Sequence, residues 1–94
     1  MQRAAPSDSS KGLKEKRKEI DSIDQKLLSL LNHRLSIALE IGTIKKSMGA
    51  KIHDSSREKE VLEGLKTKNR GPLKEEDLEK IFGTIMSVCR SSQM

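Results

Sequence analysis

Aromatic residues are almost missing from this chain: its 94 residues include no tryptophan, no tyrosine and a single phenylalanine, Phe82. Without bulky rings the core has to come from Leu, Ile, Val, Met and Ala, and so short a chain buries little of its surface as a monomer. The same lack removes the stacking platforms on which single-stranded nucleic acids are held. Cysteine occurs once, as Cys89. No disulfide can close within the chain and no cysteine-rich metal site can be built, which fits a reducing cytoplasm. His33 and His53 stand apart from each other and from other ligand types, so no metal is assigned. No apolar run approaches the roughly 20 residues of a membrane span, so no membrane is expected. The start, residues 1–12, lacks the apolar middle of a signal peptide and reads as a flexible leader over residues 1–9.

Charge, by contrast, is abundant: 35% of residues are Asp, Glu, Lys or Arg, with a net charge of +5. A basic balance raises nucleic-acid binding, because clustered Lys and Arg release counterions from phosphates. Here acidic residues are interspersed along most of the chain, and no DNA-binding motif is present. Nucleic acid is therefore only a minor alternative.

The pattern of the remainder is helical, and no repeat or strand alternation interrupts it. Ser9 or Ser10 can cap a helix running to about Met48, with Gly49 as its stop. Gly42 falls inside it and costs about 1 kcal/mol relative to Ala. Asp54, Ser55 and Ser56 offer caps for a second helix ending near Lys68, and Ser55 with Glu58 has the spacing of a capping box. Asn69-Arg70-Gly71-Pro72 breaks the chain. Beyond it Leu73, Leu78, Ile81, Phe82, Ile85, Val88 and Cys89 trace the apolar face of a third helix. The expectation is an all-α domain over residues 10–94, with one very long helix, one short and one medium. At 1.5 Å per residue the first would be about 60 Å long. Two short helices cannot cover such a stripe, so a second copy of the chain is expected to cover the rest.

Three cations interrupt that long stripe. Leu13, Ile20, Leu27, Ile41 and Met48 recur at heptad spacing, and Arg34 occupies the missing member. Arg17 and Lys45 lie on the neighbouring stripe with Asp24, Leu31 and Ala38. Lys and Arg can lay their stems on apolar surface with their heads in water, and polar positions can fix the register of paired helices. Neither explains why the interruptions are nearly all positive. Burying charge costs several kcal/mol or more unless it is paired, and an anionic ligand would supply the pairing. Arg34 and Lys45 are about 16 Å apart along the axis and can converge on one small molecule, whereas Arg17 is about 25 Å from Arg34 and cannot. In antiparallel long helices, Arg17 of one chain would meet Arg34 and Lys45 of the other, giving two equivalent composite pockets.

Other candidates have plain alternatives beside them. Arg57 and Glu58, one turn before Val61 and Leu62, can point inward, although on their own they read as an exposed first turn with Glu58 serving the cap. Gln93 continues the i+4 series of Ile85 and Cys89, either as a fraying last turn or as an amide reaching a ligand oxygen.

Taken in order, Arg17 to Asp24, Leu27, Leu28, Leu30, Leu31, Arg34, Glu40-Ile41-Gly42-x-x-Lys45, Asp54-x-x-Arg57-Glu58, Gly71-Pro72-Leu73, Ile81-Phe82 and Cys89-Arg90-x-x-Gln93 resemble the all-helical chorismate mutases. The resemblance runs from Leu13 to Gln93, and its ending is similar to the mutase portion fused ahead of prephenate dehydratase in bifunctional proteins. It implies an intertwined homodimer and rearrangement of chorismate, a dicarboxylate, to prephenate in aromatic amino acid biosynthesis, without a cofactor. By the same resemblance Arg17 of the partner chain and Arg34 bind the two carboxylates, and Lys45 and Gln93 donate to the ether oxygen. Glu58 and the backbone near Asp54 hold the ring hydroxyl, and Arg57 completes the substrate-binding charge network and helps position Glu58. Cys89 stands where some relatives carry a serine. A thiol is the weaker donor, so Cys89 reads as a pocket wall or, more simply, a buried apolar contact. An isochorismate-pyruvate lyase, or a non-catalytic helical dimer binding an anionic aromatic metabolite, would share these features.

Overall fold

The computed structural model describes residues 4–94, and side chains from residue 9 onward. The chain forms three helices, α1 (Ala4–Met48), α2 (Ser55–Lys68) and α3 (Glu75–Gln93), with no strand among the described residues. It divides into two units, residues 1–34 and residues 35–94.

The first unit is the N-terminal part of α1. The helix starts at Ala4 rather than at a cap on Ser9 or Ser10, so the expected leader is helical over residues 4–9, and its residues 1–3 lie outside the described residues. Alanine is the best helix former, and proline in a first turn gives up an N–H that has no intrahelical partner anyway, so Ala4-Ala5-Pro6 extends the helix at little cost. Leu13, Ile20, Ile23, Leu27, Leu28, Leu30 and Leu31 are all exposed along it. Between them, Lys16 pairs with Glu19 and Lys18 with Glu15 one turn apart, contacts that add only tenths of a kcal/mol.

The second unit holds the remainder of α1 with α2 and α3. Gly49 ends α1 at φ +70°, where Ala50 N donates to Lys45 O at 2.8 Å. Only glycine enters that left-handed region without a Cβ penalty. Asp54 caps α2: its Oδ1 accepts from Arg57 N at 3.0 Å, so the cap is Asp54 and not the Ser55–Glu58 box. Between α2 and α3, Asn69 folds the chain back with both ends of its amide, accepting from Gly71 N at 2.9 Å and donating to Leu73 O at 2.8 Å. Gly71 takes φ +74° there. Glu75, Glu76 and Asp77 form the first turn of α3, where the helix dipole favours negative charge.

The core is small and aliphatic. Ala38, Leu78, Met86 and Cys89 are buried, with Val61, Leu62, Leu65, Phe82 and Ile85 half-buried. The inner face of α3 thus runs through Leu78, Met86 and Cys89. Ile81 and Val88, expected on that face, are exposed on its flank, together with Leu73 ahead of the helix. At the edge of the core Lys66 Nζ lies 3.0 Å from Glu79 and 3.7 Å from Glu63, tying α2 to α3. The hydrogen bond to Glu79 holds its ammonium above the ordinary lysine range.

Candidate active site

The stretch of α1 within the second unit presents Ala38, Gly42 and Lys45 at successive turns of one face. Ala38 and Gly42 are buried and Lys45 is half-buried, whereas Ile41 and Met48 of the heptad stripe are exposed. Small residues let another chain segment approach the helix closely, and the last turn of α3 does so at Gly42. There Gln93 Nε2 donates to Ala38 O at 2.6 Å. Lys45 Nζ donates to Ile52 O at 2.9 Å and straps the loop between α1 and α2 to the end of α1.

A second polar pair closes the other side of the last turn of α3. Arg90 donates to Glu58 Oε2 at 2.5 Å, and each side chain is 29% exposed. His53 Nε2 is 3.8 Å from the other oxygen of Glu58. Because Asp54 takes the cap, the carboxylate of Glu58 is available to reach α3. Arg90 and Gln93 are three residues apart, so one turn of α3 is pinned to α2 by the first and to α1 by the second. The Arg90–Glu58 pair is a charge-assisted bond with limited solvent access, so Arg90→Met is expected to lower stability by about 1–2 kcal/mol. Chemical denaturation of the two proteins, compared at equal slope, measures it.

Of the residues expected to form the site, Lys45, Glu58, Cys89 and Gln93 belong to the second unit and are all at least partly buried. Cys89, 7% exposed, is part of the apolar core. Asp54 is exposed and uses its carboxylate as a cap. Arg57 is exposed and its guanidinium rests on Glu60, while Glu58 is paired with Arg90. One turn of α2 brings Glu60 to Arg57 at i+3, while Glu58 is turned toward α3. Arg17, exposed, and Arg34, half-buried, belong to the first unit.

Arg90, His53 and Gly42 were not anticipated as parts of the site. An interior glycine in a helix weakens it unless something needs the missing side chain, and that was the available signal for Gly42. For Arg90 the only hint was its place between Cys89 and Gln93.

The donors assembled here are amide, ammonium and guanidinium groups, the set that recognises oxyanions and ether or carbonyl oxygens. The sequence profile described as chorismate mutase type II matches residues 16–94. The chain is 42% identical over 83 residues to the bifunctional chorismate mutase/prephenate dehydratase of Aquifex aeolicus, covering 84% of this chain and 23% of that protein. It spans between a fifth and a quarter of the length of the first curated relatives it matches. Among solved structures, form II of the chorismate mutase from Thermus thermophilus aligns with a TM-score of 0.85 at 31% identity, over 86% of this chain and 92% of that one. The chorismate mutase from Helicobacter pylori in complex with prephenate aligns with a TM-score of 0.80 at 34% identity, over 86% and 88%. With the profile spanning all three helices and the polar residues of the last turn, the chain belongs to the chorismate mutase type II family.

Proposed function

We propose that this chain catalyses the intramolecular [3,3] rearrangement of chorismate to prephenate, the compound held by the Helicobacter pylori relative. One C–O bond breaks as one C–C bond forms within a single molecule, so the reaction calls for no nucleophile, proton transfer or cofactor. What a protein can add is a reactive conformer of the enolpyruvyl arm and stabilisation of the negative charge that grows on the ether oxygen.

The observation that carries this reading is the anchoring of Lys45 and Gln93. Each spends one N–H on a backbone carbonyl, of Ile52 and Ala38 respectively, and each has further N–H groups to donate. Donors fixed before the substrate arrives need no reorganisation in the transition state. In this reading Arg34 and the partner chain's Arg17 bind the two carboxylates, and Glu58 with the backbone near Asp54 holds the ring hydroxyl. Arg57 lies at the rim of the site, and Cys89 forms part of its wall. Arg90, through its bond to Glu58, also orients that carboxylate.

The reading includes an intertwined homodimer. Its support is the run of exposed apolar side chains on α1, from Leu13 to Met48, which a second α1 would bury. It also places the enzyme in the cytoplasm, within aromatic amino acid biosynthesis; among the described residues no helix is long and apolar enough to cross a membrane.

Incubating the purified protein separately with chorismate and isochorismate, and identifying the products, tests the function. Prephenate from chorismate is the expected outcome. Salicylate and pyruvate from isochorismate, with chorismate untouched, would make it a lyase; binding of either without turnover would leave a non-catalytic dimer.

A further inference from the structure

Two atoms of α1 without side-chain chemistry set the amide of Gln93. The first is the carbonyl oxygen of Ala38, which accepts from Gln93 Nε2 at 2.6 Å. The second is the bare Cα of Gly42, one turn on and itself buried. A Cβ at position 42 would stand 3.0 Å from Gln93 Cγ and 3.1 Å from Gln93 Cβ, well inside the roughly 3.5–4.0 Å separation that carbon atoms prefer. The other interior helical glycines differ: at Gly12, Gly64 and Gly83 a Cβ would meet nothing within 4 Å. Only at 42 is the missing methyl group used.

The bond to Ala38 also decides which end of the amide faces α1. With Nε2 against the carbonyl, the second N–H of the amide is left to donate elsewhere; turned over, the amide oxygen would face another oxygen and the donor would be misdirected. The atoms that would meet the methyl are Gln93 Cβ and Cγ, the root of the side chain, not its mobile tip. An alanine at 42 therefore requires the root of Gln93, or the last turn of α3 that carries it, to give way by a few tenths of an ångström. Because the shift falls at the root of the side chain, it moves the amide away from the Ala38 carbonyl that orients it.

We propose that Gly42 is a positioning residue: its lack of a side chain lets Gln93 lie on α1 so that the Ala38 carbonyl fixes the amide with one N–H aimed at the substrate oxygen. The proposal rests on the reading of Gln93 as a donor in the rearrangement and specifies what holds that donor. It acts through Gln93 and requires no contact between Gly42 and the substrate.

The test uses the full chain with Gly42→Ala, Gln93→Gly, the double variant, and Gly64→Ala as the control. Two-dimensional NMR of the Gln93 side-chain NH₂ reports its placement without any substrate. The wild type and Gly64→Ala should show an unequal proton pair with slowed exchange, and Gly42→Ala should show the pattern of an exposed glutamine. In the chorismate assay Gly42→Ala should lose about 10²-fold in kcat, the scale of a misplaced catalytic group, with KM changed by less than about threefold. In the Gln93→Gly background, where the two atoms that crowd the methyl are gone and Cα stands at 3.6 Å, the same substitution should cost little further in turnover or thermal stability. That comparison also decides the matter if Gly42→Ala alone folds poorly. An unchanged NH₂ signal in Gly42→Ala, an unchanged kcat, or an equal cost with and without the Gln93 side chain would overturn the proposal. A wild type that does not turn over chorismate would instead overturn the proposed function, and the NMR comparison would still decide whether Gly42 holds Gln93.

Discussion

Lys45→Ala is expected to fold as the wild type does and to lose most of its turnover of chorismate. The fold survives because the substitution removes one hydrogen bond, from Nζ to the Ile52 carbonyl, at a half-buried site, a cost of about 1 kcal/mol. Turnover should fall because, in the proposed reaction, the ammonium is the charged donor to an oxygen whose negative charge grows as the C–O bond breaks. Removing one such donor typically costs about 10²–10³ in kcat, and a charged one more. The loss should sit in kcat, since the interaction strengthens only toward the transition state. Thermal unfolding and steady-state kinetics on the same sample separate the two effects. A folded variant with full activity would contradict the assignment of Lys45.

The second large effect is expected at Arg17 and Arg34. Each guanidinium can hold a carboxylate with two parallel N–H bonds, which fixes orientation as well as charge. Substituting either by alanine removes an anchor from the flexible arm or from the ring, so KM should rise and kcat should fall, with kcat/KM lower by about 10² or more. The two residues differ in surroundings: Arg17 is exposed and Arg34 half-buried. An Arg17→Ala protein as active as the wild type would remove the reason for a site completed by a second chain.

Elements of this protein were legible in its sequence where a local rule decides them. Gly49 had to end α1 because the chain needs a left-handed residue there, and Asn69-Arg70-Gly71-Pro72 had to turn. Local rules failed where two of them competed. Asp54 and Ser55 are both good caps; Ser55 with Glu58 looked the more complete motif, yet Glu58 is engaged by Arg90, 32 residues away in sequence. Along α3 the apolar pattern includes Ile81 and Val88, which are exposed, as well as the buried Leu78 and Cys89, while the flexible side chain of Met86 fills the core. A surplus of apolar residues makes the inward stripe ambiguous, since several choices of face look equally hydrophobic.

The candidate site divides the same way. Lys45 and Gln93 stood out because polar groups interrupted apolar stripes. Their anchors did not, because the partners are the backbone carbonyls of Ile52 and Ala38, and a carbonyl has no letter in a sequence. Gly42 was visible as a cost to α1 without its compensation, which lies 51 residues further on at Gln93.

Mixing Arg17→Ala and Arg34→Ala chains, after dissociation and reassembly, measures most directly whether two chains build one site. In the proposed dimer each variant alone would have no intact pocket. In a mixed dimer one pocket would lack both arginines and the other would have both, so random reassembly of equal amounts should restore about a quarter of wild-type turnover. Activity no higher than that of the separate variants, in a sample shown to contain mixed dimers, would contradict the shared site.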